Sequence, residues 1–348
     1  MKKMYDKFNL ARNELLDLSL KNPLINFKLR KTTGLEFNNL NASETFDYIV
    51  GEGKNLYFTR EKTNLPSKLY VELDEKEIRS RLNRTYRSSR LFLEEKGANT
   101  LFLALGFLNW KEDYFEIYYR SPLLLVPVEL NKAENSDRYF LNYNGDEIRI
   151  NISLITKMKN EFNINLEYED DEIEDVDKYF RFLYEIISKV KPDWSLSTTT
   201  GALDFFSYSK FLMYRDLNID LWVDDKNNLN NEIIDKLFFT NFSDNTNTET
   251  KKITYYNVVD ADTSQTLAIN DIMQGKNLVL QGPPGTGKSQ TITNIIANAI
   301  ANGKSVLFVS EKLAALEVVK KRLENVGLGD LVIELHSQKT NRKEQAGI

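Results

Sequence analysis

One short segment, Gly282-Pro-Pro-Gly-Thr-Gly-Lys-Ser289, constrains the fold of this 348-residue chain more than any other feature. It fits the pattern G-x-x-x-x-G-K-S/T, in which glycine lets the backbone bend tightly and approach a ligand closely. The apolar run Asn277–Leu280 precedes the segment, and a helix-favouring run begins at Lys288. Backbone N–H groups that converge at the start of a helix form a site for an anion. The segment therefore predicts a phosphate-binding loop, or P-loop, between a strand and a helix.

The residues of this loop have separate predicted roles. The two prolines lack an N–H group, so the phosphate donors are expected between Gly285 and Ser289. Lys288 supplies a positive charge to the β- and γ-phosphates, and Ser289 offers a hydroxyl ligand to magnesium. These two are the predicted catalytic residues, and the predicted cofactors are ATP and magnesium. The predicted loop contacts are Gly282, Pro283, Pro284, Gly285, Thr286, Gly287, Lys288 and Ser289.

Strands and helices are predicted to alternate around the loop. The predicted strands are Leu278–Gln281, Ser305–Ser310 and Leu331–Leu335, and the predicted helices are Lys288–Asn302 and Lys312–Val326. Such alternation indicates a parallel sheet with right-handed crossovers. Because only three strands are evident, the predicted sheet is incomplete and is expected to leave an edge and apolar surface uncovered, which favours self-association.

The preceding part of the chain predicts a different arrangement. Aromatic and branched residues bounded by turn residues predict strands at Asn55–Thr59, Lys68–Leu73, Thr100–Trp110, Tyr114–Leu130 and Glu147–Leu154. Helical spacing predicts helices at Glu75–Glu95, Ile173–Val190 and Leu203–Leu217. The fold class is therefore an α/β P-loop domain, 253–348, preceded by an α+β domain, 1–223. A polar connector with a short helix, Glu232–Phe239, is predicted between them at 224–252.

Composition excludes several kinds of protein. The chain has no cysteine and a single histidine, His336, which excludes disulfides, thiol catalysis and a cysteine–histidine zinc cluster. The first twenty residues contain no apolar core of a signal peptide, and no apolar run approaches the roughly 20 residues that span a bilayer. A cytoplasmic protein without a membrane partner is predicted. The net charge of −5 means that any contact with nucleic acid needs local basic patches.

The loop and its surroundings resemble the superfamily 1 helicases of the Upf/Nam-like class. Gln281-Gly-Pro-Pro-Gly-Thr-Gly-Lys-Ser-Gln-Thr-Ile292 resembles the P-loop of that class, which adds Gln290 to the predicted nucleotide contacts. Asp262-Thr-Ser-Gln-Thr-Leu-Ala-Ile269 resembles its Q motif, which implies that Gln265 contacts the adenine base. Val306-Leu-Phe-Val-Ser-Glu-Lys-Leu-Ala-Ala-Leu316 resembles motif Ia, which implies nucleic-acid contacts at Ser310, Glu311 and Lys312.

The amino-terminal half is similar to a domain of unknown function that precedes bacterial helicases of this type. The similarity lies in Leu15-Leu-Asp-Leu-Ser-Leu-Lys-Asn-Pro-Leu24, Leu103-Ala-Leu-Gly-Phe-Leu-Asn-Trp110 and Ser121-Pro-Leu-Leu-Leu-Val-Pro-Val-Glu-Leu130. The resemblance thus covers nearly the whole chain and implies a RecA-like P-loop domain. It also implies the ATP-binding front portion of a helicase or translocase that moves along DNA or RNA, most often single-stranded.

The chain departs from that family in one respect. The Asp-Glu pair, the coupling glutamine and the arginines that follow motif Ia in such helicases have no counterpart before Ile348. Glu334 ends an apolar run but lies too early in the chain to match the catalytic acid. The isolated chain is therefore expected to bind ATP and to hydrolyse it poorly until a second chain supplies the rest. Two alternatives remain: an ATP-binding regulatory or assembly subunit, and a stand-alone P-loop phosphotransferase with Glu334 as its acid.

Two further features permit more than one interpretation. The predicted helix Glu75–Glu95 carries an arginine stripe that either tracks phosphates, with Arg84 and Arg87 as the candidate contacts, or forms a solvated face paired with glutamates. The short basic run Lys28–Lys31 is a weaker candidate of the same kind. The aromatic segment Tyr114–Tyr119 could stack on bases, but packing in the sheet is the predicted use. The arginines of the stripe are Arg79, Arg81, Arg84, Arg87 and Arg90.

Overall fold

The computed structural model describes residues 2–96, 99–133, 138–168, 173, 175–206, 213–214, 216–218, 254–283, 285–310 and 312–335. Contacts divide the chain into two compact units, and the main division falls between Thr240 and Asn241. The predicted connector 224–252 and its helix Glu232–Phe239 lie outside the described residues, so the predicted domain bounds stay a prediction. Within the described parts of the chain, no helix is both long and apolar enough to cross a membrane.

An eight-stranded sheet lies at the centre of the first unit, counted over the described residues. The strands β1 to β8 are Leu35–Asn38, Leu56–Thr59, Lys68–Tyr70, Leu101–Lys111, Tyr118–Lys132, Tyr139–Tyr143, Arg149–Ile150 and Ser195–Phe205. Their spatial order is β1-β8-β4-β5-β6-β2-β3, and β7 pairs with β5 beside this path. The pairs are antiparallel except for β2 with β3. A mostly antiparallel sheet with helices agrees with the α+β arrangement predicted for this half.

Helices surround this sheet and begin where side chains cap them. The helices α1 to α5 are Lys2–Leu15, Ala42–Phe46, Glu75–Lys96, Ile152–Phe162 and Val176–Val190, and a π-helical turn follows α2 at Asp47–Gly51. Asn151 accepts from the Leu154 N–H at the start of α4, and Asp175 accepts from the Lys178 N–H at the start of α5. Such caps stabilise a helix by about 1 kcal/mol each.

The long strands β4 and β5 form the buried centre of the unit. Leu105 lies opposite Leu124, and nearly every residue of the facing stretches is buried. The pairing of β4 with β8 shifts register at Gly106, which has a φ of +73°. A Cβ at this position would lie 2.8 Å from the ring of Phe180. Glycine therefore permits both the bulge and the close approach of α5 to the sheet.

Three predictions for the first unit are wrong in part. The predicted helix Leu203–Leu217 is wrong at its start, because residues 203–205 belong to β8, where pairing with β1 and β4 overrides the helix-like spacing of the apolar residues. Residues 213–214 and 216 of the same range are helical, and 207–212 and 215 lie outside the described residues. The predicted strand Glu147–Leu154 contributes only β7, because Asn151 then caps α4. The aromatic segment Tyr114–Tyr119, which was predicted to pack, does so only at its end: Tyr119 of β5 packs against Trp110 in the core, whereas Tyr114 is 94% and Phe115 53% exposed in the connection between β4 and β5.

Within the described residues, the second unit contains three α-helices, α6 Thr263–Met273, α7 Lys288–Ala301 and α8 Leu313–Asn325, and a short 3-10 helix, Gly329–Leu331. The ends of α7 and α8 lie within one residue of the helices predicted there. A small core joins these two helices, and its buried members are Ile296, Val319 and Leu323. Phe308 and Val332 pack against this core from the segments that follow each helix.

The prediction of paired strands in the second unit is wrong for this structure. No backbone ladder joins Leu278–Gln281, Ser305–Ser310 and Leu331–Leu335 within the described residues. A cavity of about 600 Å³ is lined by the last two segments together with α7 and α8. The last two segments therefore contact the helices through side chains such as Phe308 and Val332 rather than through a strand ladder.

Apolar side chains of these segments are exposed. Val279 is 90%, Leu307 78% and Ile333 73% exposed, whereas the neighbouring Phe308 and Val332 pack on the core between α7 and α8. This alternation has the period of two that a strand shows when only one of its faces is covered. Uncovered apolar surface agrees with the expectation for this part of the chain, and self-association stays a prediction.

Candidate nucleotide-binding site

The glycine-rich loop adopts backbone conformations that glycine permits at least cost. Gly285 has a φ of +86° and Gly287 a φ of +75°, in the left-handed region that other residues rarely adopt. Gly287 is the residue immediately before α7. A Cβ on Gly287 would lie 2.3 Å from Nε2 of Gln265. The loop thus needs glycine here both for its turn and for the close approach of α6.

Gly282 is crowded by the other end of the same loop. A Cβ at Gly282 would lie 2.6 Å from Oγ1 of Thr286 and 2.9 Å from Cγ of Lys288. The Thr286 hydroxyl also donates to the carbonyl of Pro283 at 2.8 Å. These contacts fold the loop back onto the start of α7. Pro284, the remaining predicted loop contact, lies outside the described residues.

The ammonium group of Lys288 lies over the loop and bonds to its carbonyl groups. Nζ donates to the carbonyl of Gly282 and, at 2.8 Å, to that of Pro283. The side chain is otherwise exposed. The carbonyl oxygens are uncharged, whereas a phosphate oxygen is anionic and attracts the ammonium by a charge–charge interaction in addition to the hydrogen bond. A phosphate oxygen entering the loop would therefore compete well against these carbonyls for the ammonium.

The amino-terminal end of α7 offers backbone donors to the same loop. The N–H groups of Gln290 and Thr291 both donate to the carbonyl of Gly287. Within the described residues, the N–H groups of Lys288 and Ser289 have no protein acceptor. Unpaired donors at a helix start, beside the positive end of the helix dipole, form an anion site. The loop residues therefore fit the phosphates of a nucleotide, and Ser289, which carries the hydroxyl predicted to bind magnesium, is the second residue of the same helix.

Gln265 lies against the loop, as expected for a residue that contacts the nucleotide. It is the third residue of α6 and forms a capping box with Asp262, the residue before the helix. The Gln265 N–H donates to the Asp262 carboxylate at 2.8 Å, and the Asp262 N–H donates to Oε1 of Gln265. Its Nε2 donates to the carbonyl of Thr286 at 3.3 Å. Gln265 therefore ties the start of α6 to the P-loop.

Two buried asparagines of α7 were missed by sequence reasoning. Asn294 and Asn298 are fully buried. Asn294 accepts from the N–H groups of Val258 and Val259 and donates to the carbonyl of Val259. Asn298 accepts from the N–H of Tyr256 and donates to Asn257. The segment before α6 is thus held by side chains of the helix that begins at the loop. Their spacing of four was the available signal, because it places both amides on one helix face.

The other candidate residues that the structure describes make contacts with neighbours outside the loop. Ser310 caps the turn before α8, where its hydroxyl accepts from the Lys312 N–H at 3.3 Å. Glu311 lies outside the described residues. Glu334 pairs with Lys320 of α8 at 2.9 Å, and this hydrogen bond raises the pKa of Lys320 above its ordinary value. Arg84, like Arg87, belongs to α3 of the first unit and is exposed.

A metal site made of protein side chains alone is absent from the described part of the chain, where no three histidine, cysteine or acidic side chains converge. A magnesium ion at Ser289 would thus depend on oxygens from the nucleotide and from water, as this ion commonly does.

Models of two protein families match the chain. Residues 14–158 match a family described as a protein of unknown function (DUF4011), which includes strands β1 to β7 of the first unit. Residues 260–344 match an AAA domain, which includes the P-loop and the helices α6, α7 and α8. No solved structure gives a significant match.

Curated relatives extend this comparison. The chain is 30% identical over 335 residues to a Mycoplasma genitalium protein named "Uncharacterized ATP-dependent helicase MG140", a match that covers 89% of the chain and 28% of the relative. It is 31% identical over 273 residues to the homologue of that protein in Mycoplasma pneumoniae, covering 71% of the chain and 24% of the relative. The chain spans about a quarter of the length of these relatives. The chain therefore has a DUF4011 amino-terminal domain and an AAA domain and is homologous to proteins named ATP-dependent helicases, consistent with the Upf-like helicases of superfamily 1.

Proposed function

We propose that the second unit is a RecA-like domain that binds ATP with magnesium for a superfamily 1 helicase or translocase. The single observation that carries the proposal is the loop from Gly282 to Ser289, with the Lys288 ammonium over it, Gln265 against it and unpaired donors at the start of α7. The names of the two mycoplasma relatives support ATP-dependent strand movement as the activity of the complete enzyme.

The residues of the loop would act by holding and stabilising charge. Lys288 would leave the carbonyls of Gly282 and Pro283 and bind phosphate oxygens, and the N–H groups of Lys288 and Ser289 would donate to the same phosphates. Ser289 would hold the magnesium ion, which neutralises charge on the phosphates when it is bound. Donors fixed by the fold need no reorganisation as charge develops, which is why such a loop lowers a barrier.

Nucleic acid is the proposed second substrate. The residues proposed to contact it in this unit are Ser310, Glu311 and Lys312, which precede α8. Lys312 is exposed, and its backbone N–H is already held by the Ser310 hydroxyl. A single-stranded DNA or RNA backbone suits an exposed cation of this kind, because phosphate contacts dominate such binding.

A second candidate function is an ATP-binding subunit whose catalytic site is completed by another chain. The observation that favours it over a stand-alone phosphotransferase is the ion pair of Glu334 with Lys320 at 2.9 Å. A carboxylate held by a lysine on α8 is a poor general base for a water at the phosphates.

A substitution at Glu334 tests this point. We expect the 348-residue chain to release phosphate from ATP at near-background rate, with or without oligothymidylate, and we expect Glu334→Gln to leave that rate unchanged. Glu324→Gln is the matched control, because Glu324 also faces Lys320, at 3.6 Å. Robust hydrolysis that Glu334→Gln abolishes and Glu324→Gln preserves would instead support the stand-alone enzyme.

Gln265 is proposed to select adenine. Its replacement by alanine is expected to reduce the preference for ATP over GTP by roughly 5- to 150-fold, since one bidentate amide–adenine pair contributes about 1–3 kcal/mol of discrimination. Competition against a fluorescent ATP analogue measures both affinities. Gln274→Ala, at the other end of α6, is the control and should change neither. Equal weakening of ATP and GTP by Gln265→Ala would refute base selection and leave Gln265 a residue that positions the loop through Thr286.

A further inference from the structure

Two basic segments that are distant in sequence meet on one surface of the first unit. The turn Arg30–Gly34 lies across α3 and is held there by hydrogen bonds to its backbone carbonyls. The Thr85 hydroxyl donates to the carbonyl of Thr33 at 2.7 Å, and Arg81 donates to that of Gly34 at 3.0 Å. Arg84 reaches the carbonyl of Thr32 at 3.4 Å. The basic run Lys28–Lys31, whose last two residues begin this turn, therefore leads directly into a segment that is fixed beside the arginine stripe of α3.

The same turn is anchored from its other side by a buried carboxylate. Asp204 is 2% exposed and accepts from both the backbone N–H and the guanidinium of Arg30, at 3.1 and 2.6 Å. A Cβ on Gly34 would lie 2.9 Å from Oδ2 of Asp204 and 2.9 Å from the Arg30 carbonyl. The turn is therefore fixed by contacts on both of its sides, and these contacts hold the positive charges on it in place.

The charges on this surface are unevenly neutralised. In the first turns of α3, Arg79 pairs with Glu75 and Arg81 pairs with Glu77. Farther along the helix, Arg84 and Arg87 are exposed, as are two lysines of the basic run. No carboxylate lies within 4.0 Å of these four cations in the part of the chain that the structure describes. The four are Lys28, Lys31, Arg84 and Arg87.

We propose that these four residues, the basic face, bind the sugar–phosphate backbone of single-stranded nucleic acid. Four separate cations, one before the turn, one on it and two on α3, suit a polymer of repeated negative charges better than one compact anion. The chain as a whole carries a charge of −5, so the local concentration of positive charge is not a consequence of its composition. This inference rests on the proposed function only because that function names nucleic acid as the partner. It adds that the first unit binds the nucleic-acid strand.

The test measures binding of fluorescein-labelled oligothymidylate to the full chain by anisotropy, between 50 and 300 mM salt. Each phosphate contact on a single strand contributes about 0.7 to the slope of log K against log salt. Arg84→Gln combined with Arg87→Gln should therefore reduce the slope by about 1.4 and weaken binding by about 25-fold at 0.1 M salt. The matched control is Arg79→Gln combined with Arg181→Gln, which removes the same charge from two exposed arginines that are paired with carboxylates. It should change affinity less than twofold.

Three results would overturn the basic face. These are wild-type affinity in the Arg84→Gln/Arg87→Gln chain, an equal loss in the control chain, or binding to phosphatidylserine vesicles without binding to the oligonucleotide. Circular dichroism and thermal unfolding of both variants establish that the fold is kept, which is expected because all four arginines lie at the surface. Lys288→Ala separates this inference from the proposed function: it should lower ATP affinity and leave oligonucleotide binding without nucleotide unchanged, whereas the basic-face variant should do the reverse.

Discussion

Replacement of Lys288 by alanine is expected to weaken ATP binding by roughly 10- to 150-fold, the equivalent of about 1.5–3 kcal/mol for hydrogen bonds to a charged partner. This loss of affinity is expected from the position of the lysine in the loop. Lys288 is the cation whose ammonium lies over the loop carbonyls of Gly282 and Pro283, where phosphate oxygens are proposed to enter. Removing the lysine side chain leaves the backbone donors at the start of α7 but takes away the positive charge that would bind the phosphates.

The measurement is a titration of the wild-type and variant chains with ATP in the presence of magnesium, by calorimetry or by displacement of a fluorescent analogue. Lys304→Ala is the control, because Lys304 is an exposed lysine just beyond the other end of α7. It should leave affinity within twofold of wild type. A change of less than threefold in Lys288→Ala would contradict the role of this lysine, and an equal loss in Lys304→Ala would indicate a general charge effect.

Replacement of Asn294 by alanine is expected to destabilise the second unit by about 2–4 kcal/mol. The side chain is fully buried and makes hydrogen bonds to the N–H groups of Val258 and Val259 and to the Val259 carbonyl. Without it, these backbone groups lose their partners, and an unsatisfied group costs about 1–3 kcal/mol when water cannot replace the bond. Val258 and Val259 are half-buried, so water relieves part of this cost.

Hydrogen exchange measured on peptides covering residues 254–262 is the suitable observable, because a chain of two units need not unfold in one step. Exchange of the Val258 and Val259 amides should accelerate by roughly 30- to 1,000-fold if opening of this unit controls exchange. Asn302→Ala is the matched control: Asn302 is exposed at the end of the same helix and donates only to the Asn298 carbonyl through its side chain. Unchanged exchange in Asn294→Ala would show that the asparagine does not hold this segment.

Local signals in the sequence were sufficient for several parts of the structure. Helix α3 was predicted from Glu75 to Glu95 and runs from Glu75 to Lys96, because apolar spacing and acidic residues in its first turn act within the helix itself. The P-loop was recognisable because its glycines occupy positions where the backbone needs a conformation that other residues rarely adopt. Gly285 and Gly287 have positive φ values, as this requires. The structure also brings Gln265 to the loop, while its proposed role toward adenine stays a prediction.

Other parts depended on partners that the sequence does not reveal. The apolar residues from Leu203 onward have the spacing of a helix, but the residues there that belong to β8 pair with two neighbouring strands, β1 and β4. Tyr114 and Phe115 have the composition of a strand, yet they lie in the connection between β4 and β5 and are exposed. The side-chain network around Asn294 was missed because a polar residue on a helix is normally assigned to solvent, and the spacing of four from Asn298 shows a shared helix face but not burial. The basic face combines segments about 50 residues apart, which only tertiary contacts unite.

Titration of the purified 348-residue chain with ATP, ADP and AMP in magnesium buffer measures whether the P-loop binds a nucleoside triphosphate by its phosphates. We expect a single ATP site per chain, weaker binding of ADP, no measurable binding of AMP, and ATP binding weakened by roughly 10- to 150-fold in Lys288→Ala. A folded, monodisperse chain that shows no saturable ATP binding, or that binds AMP as tightly as ATP, would show that the P-loop does not bind a nucleotide in this way.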